Sequence, residues 1–137
     1  MKNTEVIVFA AAALSLFAAF SLAQPVGAAS KVSRTILERT DIPGTNDELR
    51  LTLVEFPPSK SAPLHFHPVP GVCYVLEGTA ETQYDGGPVE QVSAGESFHD
   101  VADTTHTAFR NVSDTEIPKF ICTAKIGKNQ KYYLLRD

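Results

Sequence analysis

From Thr35 onward the chain reads as short blocks of alternating or β-branched apolar residues, cut by proline or glycine every several positions. No stretch there sustains the 3.6-residue apolar period of a helix, and only short strands fit between such breaks. Thr35–Arg39, Leu49–Phe56, Leu64–His67, Val72–Leu76 and Thr79–Tyr84 are the first expected strands. Pro57-Pro58 stops the second of them, and Gly78 parts the fourth from the fifth. Asp85-Gly86-Gly87 predicts a hairpin, because glycine adopts the positive φ of a tight turn with no Cβ to clash. Val89–Val92, Ser97–Val101, Thr105–Asn111 and Ile117–Ala124 continue the pattern, with turns at Ala94-Gly95 and Ser113-Asp114-Thr115. Many short strands at even spacing predict an all-β fold, an antiparallel sandwich or barrel. Tyr132-Tyr133-Leu134-Leu135 reads as a terminal strand packed on that barrel or on a neighbouring subunit.

The first residues follow a different rule. Val6–Leu22 is a 17-residue uncharged run with Lys2 before it and small residues after it. Ser21-Leu22-Ala23 has the small-x-small form of a signal-peptidase site, with Val26-Gly27-Ala28 and Gly27-Ala28-Ala29 as later candidates. The alternative is an uncleaved anchor, since a bilayer needs about 20 apolar residues. No cysteine lies near enough for lipid attachment. The expectation is a signal peptide over 1–23 and a secreted or periplasmic chain from about Gln24. Removing the first 23 of 137 residues leaves 114, enough for one core and too few for two.

Composition narrows the function by exclusion. Twelve Lys+Arg against sixteen Asp+Glu leave no basic footprint, so nucleic acid is not an expected partner. At 43% hydrophobic the chain is not disordered. Cys73 and Cys122 are too few for a disulfide scaffold and lack zinc-ribbon spacing; in an oxidising compartment they could pair, or remain two buried thiols. Serines lack the Gly-x-Ser-x-Gly elbow, and there is no phosphate loop or dinucleotide fingerprint.

The four histidines His65, His67, His99 and His106 hold most of the chemistry. His65 and His67 are two apart in a strand, so their side chains leave the same face. Neighbouring imidazoles can chelate one divalent cation, with a third ligand from another strand; zinc, iron, copper and nickel all suit imidazole. By spacing alone the pair could equally be solvated histidines. His99 and Asp100 must point to opposite faces, and Asp100 is either a carboxylate that orients a histidine or a solvated edge charge. Cys73 shares the face of Gly71 and either lines a pocket or packs as a plain thiol. Tyr74 and Tyr84 are expected to pack on the sheet.

The run Pro63-Leu64-His65-Phe66-His67-Pro68, followed by Gly71-Val72-Cys73-Tyr74-Val75-Leu76-Glu77-Gly78, closely resembles the first motif of the cupin superfamily. Gly95-Glu96-Ser97-Phe98 and His106-Thr107-Ala108-Phe109-Arg110-Asn111 resemble the second, with a short hairpin between the two. The resemblance covers about residues 49–124. It implies a small single-domain jelly-roll β-barrel over 34–126, followed by a tail over 127–137. It also implies a divalent metal (Fe, Mn, Zn, Cu or Ni) held by His65, His67 and His106. The glutamate that usually completes such a site falls on Gly71, which has no side chain to coordinate anything. Further departures are Ser59 at the motif's leading glycine, Val101 and Asp103 in place of a proline and a glycine, and Asn111 one place late. Three histidines suffice for a site with open positions, and the loss of an anionic ligand favours an anionic substrate. The implied functions are a metal-dependent oxygenase acting on a small molecule, or a non-catalytic module binding a metal or small molecule. A homodimer through sheet edges is implied in the same way, and the membrane is a partner only if the leading segment stays attached.

Overall fold

The computed structural model describes residues 31–137, so the expected signal segment lies outside the described residues. Ten strands follow in order: β1 (Ser33–Asp41), β2 (Asp47–Glu55), β3 (His65–Phe66), β4 (Gly71–Glu77) and β5 (Thr79–Tyr84). The rest are β6 (Glu90–Ser93), β7 (Ser97–Asp100), β8 (His106–Arg110), β9 (Lys119–Gly127) and β10 (Leu134–Leu135). One sheet is ordered β1-β2-β9-β4-β7 and the other β10-β3-β8-β5-β6, each five-stranded. Every pair of named strands is antiparallel. The fold is the expected all-β jelly roll, two sheets enclosing one core.

Alternation decides what faces inward. In β4, Gly71, Cys73 and Val75 are buried while Val72, Tyr74 and Leu76 are exposed. In β9, Phe120, Cys122, Ala124 and Ile126 point in. Cys73 stands directly opposite Cys122 in the β4–β9 register, and the two form a disulfide, which settles the alternative that the sequence left open. Phe56, Phe109 and Phe120 cluster with centroids 4.7–6.0 Å apart, Phe56 edge-to-face on the other two, filling one part of the barrel. The histidines fill the part beside it: the His106 ring stacks on Phe109 at 4.8 Å.

Asn111 ties the connections down. Its buried side-chain amide donates to the carbonyls of Phe56, Pro57 and Glu116, while its Oδ1 accepts from the Ser113 N–H. A buried carbonyl without a partner costs about 1–3 kcal/mol, so this one side chain offsets several such costs. Two departures from the family pattern also become legible. Ser59 and Asp103, which replace glycines, still adopt φ of 56° and 54°, the left-handed conformation that glycine takes most easily. The backbone path is retained at those positions although the residue is not.

The tail closes the barrel. β10 pairs with β3, Leu134 opposite Phe66 and Leu135 opposite His65. Of the expected 132–135 strand only Leu134–Leu135 forms, packed on its own barrel, and Tyr132 and Tyr133 just before it lie over the histidine end.

Candidate metal centre

His65 enters from β3, His106 from β8, and His67 from the bridge that follows β3. His65 and His106 are direct cross-strand partners, which sets their rings side by side. All three are buried, His65 and His106 at 1% exposure and His67 at 5%. One ring nitrogen from each can be chosen so that all three lie within 4.8 Å of one another. The spacing that in sequence was compatible with solvated histidines is therefore a convergent buried cluster. His99, by contrast, is exposed on the opposite face of β7.

The hydrogen bonds orient each ring. His65 Nδ1 lies 2.8 Å from the Pro63 carbonyl and His67 Nδ1 2.9 Å from the Tyr132 carbonyl. A carbonyl can only accept, so in both rings Nδ1 carries the proton and Nε2 keeps its lone pair. His106 Nε2 pairs with the Thr82 hydroxyl at 2.8 Å. His65 Nε2 and His106 Nδ1 are buried with no hydrogen-bond partner. Buried polar atoms are nearly always satisfied, and a cation held among the rings would satisfy these. The donor set fits a divalent metal such as zinc, iron or copper.

Electrostatics point the same way. Burial holds His65 down at about 4 and His106 at about 3, each lowered further by its histidine neighbours. His67 is also lowered by burial, against the opposing pull of Asp100. Near neutral pH the rings are uncharged, which is the state that coordinates.

Other groups complete the walls. Asp100, at 4% exposure, accepts hydrogen bonds from the Tyr84 hydroxyl at 3.0 Å and the Tyr132 hydroxyl at 2.8 Å. Burial and the Asp100 charge push both tyrosine hydroxyls well above the usual phenol range. Tyr84, expected as a plain sheet-packing aromatic, stacks on His106 at 4.2 Å and belongs to the site; Tyr74 is exposed. Tyr132 and Tyr133 pack on His67 and His65 at 4.5 and 4.4 Å. A cavity of about 30 Å³ lies between Arg34, His65, His67, Asp100 and Tyr132, with Cys122 on its wall. Arg34 sits at the exposed side of that cavity with its guanidinium 4.0 Å over the Tyr133 ring. Cys73, Asp100 and Cys122 also cluster, but the disulfide leaves no thiolate to coordinate. Arg34, Tyr132 and Tyr133 were not singled out for the site by sequence, since nothing in a local pattern brings residue 34 and the tail to the same opening.

A jelly roll with three convergent histidines in its barrel defines the class. Residues 52–123, just over half of the chain, match the cupin domain model, and the chain belongs to the cupin family. Among solved structures it resembles a double-stranded β-helix protein from Klebsiella pneumoniae at TM-score 0.60, with 20% identity over 79% of this chain and 87% of that one. It also resembles DMSP lyase DddQ from Ruegeria pomeroyi at TM-score 0.59, with 20% identity over 76% of this chain and 51% of that one. A third likeness is to an oxalate oxidase at TM-score 0.53, with 22% identity over 64% of this chain and 45% of that one. The chain thus spans about half the length of the lyase and the oxidase, and these identities speak to the fold alone. No curated protein matches it in sequence.

Proposed function

We propose that the chain is a metal-dependent cupin in which His65, His67 and His106 hold one divalent ion and a small anionic molecule binds beside it. The two unpartnered ring nitrogens in a buried three-histidine cluster carry this reading. When bound, the ion supplies Lewis acidity, and iron, manganese or copper supplies one-electron chemistry as well. The protein's own groups do the rest. The Pro63 and Tyr132 carbonyls fix which nitrogen of His65 and His67 is available. Thr82 steadies His106, and the rings of Tyr132 and Tyr133 shield the centre from water. Arg34 offers a guanidinium at the opening, suited to a carboxylate. The small cavity restricts what reaches the centre to a compact molecule. The DMSP lyase and the oxalate oxidase, both named for small substrates, support that size class.

A redox-active ion with an open position suits oxygen-dependent turnover, whereas zinc suits Lewis-acid turnover or capture without turnover. Purified chain is expected to hold about one equivalent of metal by elemental analysis, and the His65→Ala/His67→Ala variant none. Wild-type protein that is metal-free, and that takes up no Fe, Mn, Cu, Ni or Zn on reconstitution, would overturn the proposal. Oxygen uptake by the iron-loaded protein with small carboxylates then separates catalyst from binder.

The same proposal places the mature chain outside the cytosol. The uncharged run Val6–Leu22 and the Cys73–Cys122 disulfide both support export, since disulfides persist in oxidising compartments. Expression in a bacterial host is expected to yield a periplasmic chain beginning near Gln24 by N-terminal sequencing. An intact Met1 on a cytosolic product would count against it.

A further inference from the structure

Asp100 is a buried carboxylate with no lysine or arginine in contact with it. Its oxygens accept from two neutral tyrosine hydroxyls, and the disulfide sulfur of Cys73 lies 3.7 Å from Oδ2. Hydroxyl donors satisfy its lone pairs but do not neutralise it, and a buried unpaired charge costs several kcal/mol. Among the described residues no lysine or arginine nitrogen reaches it within ion-pair distance; Arg34, across the same cavity, exerts a coulombic pull on it without contact. His67 Nε2 does, at 3.6 Å from Oδ1. That nitrogen is the lone-pair end of the ring, because Nδ1 is committed to the Tyr132 carbonyl. Acceptor therefore faces acceptor across 3.6 Å in a buried place, an arrangement that a cation alongside makes favourable.

The strand pairing explains why the carboxylate sits here. Asp100 on β7 is the register partner of Gly71 on β4. A Cβ built at Gly71 would collide with the Tyr132 hydroxyl, so a side chain at position 71 would have to displace that ring from its place beside Asp100. The Tyr132 hydroxyl occupies that space and donates to Asp100. A carboxylate on the inner face of β4 would thus compete with the Tyr132 hydroxyl for the same space, and that hydroxyl instead anchors a carboxylate on the neighbouring strand. Asp100 stands outside the group of mutually close histidine nitrogens and adjoins it through His67.

We propose that Asp100 supplies the negative charge of the three-histidine site, held in place by Tyr84 and Tyr132 and balancing a divalent ion from the His67 side. This rests on the three-histidine reading above and adds to it the residue that neutralises the ion. Its role is charge balance and positioning, and metal affinity reads it directly.

The test is zinc affinity of the purified full chain, measured by competition with a chromophoric chelator. Wild type and Asp100→Asn are both expected to bind one zinc, the variant at least fivefold more weakly. A change smaller than fivefold overturns the proposal and leaves the histidine site standing. Wild-type protein that binds no zinc and no other divalent ion overturns the histidine reading itself, so the two failures are distinct. Where Asp100→Asn does not fold, Tyr132→Phe decides: it removes one of the two hydroxyls that hold the carboxylate in place while keeping the ring. Zinc binding at least threefold weaker than wild type, at an unchanged melting temperature of the metal-free protein, is the expected result, whereas equal or tighter binding overturns the proposal.

Discussion

Acidifying the metal-free protein from pH 6.5 to pH 4 is expected to remove most of its stability. His65 and His106 stay neutral in the folded state down to about 4 and 3, because protonation puts charge where burial opposes it. In the unfolded chain both bind a proton near the ordinary value of about 6.5. Between those values the unfolded state holds more protons, so stability rises with pH and is lost as pH falls through that window. Each histidine contributes a slope of up to about 1.4 kcal/mol per pH unit there. His67 is shifted in the same direction and adds to the slope. Together they amount to several kcal/mol, comparable with the roughly 5–15 kcal/mol that holds a domain of this size. Urea midpoints taken at intervals across pH 4–7 measure the slope directly. His106→Gln should lower it by about one proton, and saturating zinc should displace the transition toward lower pH, since coordination requires the neutral rings. A flat profile above pH 4.5 would show that the cluster is hydrated.

Reduction of the Cys73–Cys122 bond is expected to cost about 4 kcal/mol, from the entropy of a loop whose ends are 49 residues apart. The two cysteines are already neighbours in the β4–β9 register, so the native state loses little order when the bond opens. The effect falls on the unfolded chain, which regains the freedom that the cross-link removed. For a domain of this size that corresponds to a melting temperature lower by roughly 15–30 °C. Thermal unfolding with and without a phosphine reductant, beside the Cys73→Ala/Cys122→Ala variant, measures it. Both sulfurs are buried, so the variant also loses some packing and should melt at or below the reduced wild type. Coincident melts of oxidised and reduced protein would refute a stabilising role for the bond.

The elements that were legible in advance share one property: each depends on a short stretch of chain. The strand from Val72 to Leu76 could be placed because its alternation of faces is local, and the structure extends it by only a residue at each end. His65 and His67 share a face for the same reason, and the Asp85-Gly86-Gly87 turn follows from φ alone. That His106 would meet them came from resemblance, and the β3–β8 pairing supplies the physical cause. Nothing local in the sequence shows that β8 sets His106 directly opposite Tyr84, which is why Tyr84 reads there as plain sheet packing. The pairing of Cys73 with Cys122 depended on which strand lies beside β4, a matter of topology rather than of pattern.

The sequence by itself determined the succession of strands and that His65 and His67 share a face, and its resemblance to a family supplied His106 as the third imidazole. It also showed that Gly71 could not coordinate anything. Tertiary structure alone decided what takes the place of a side chain at that position: a tyrosine hydroxyl from residue 132, in contact with a carboxylate from residue 100. A period of two tells a residue which side of its sheet it faces. It carries no information about what arrives there from the opposite sheet or from a tail some sixty residues away, because such meetings are set by closure of the whole barrel.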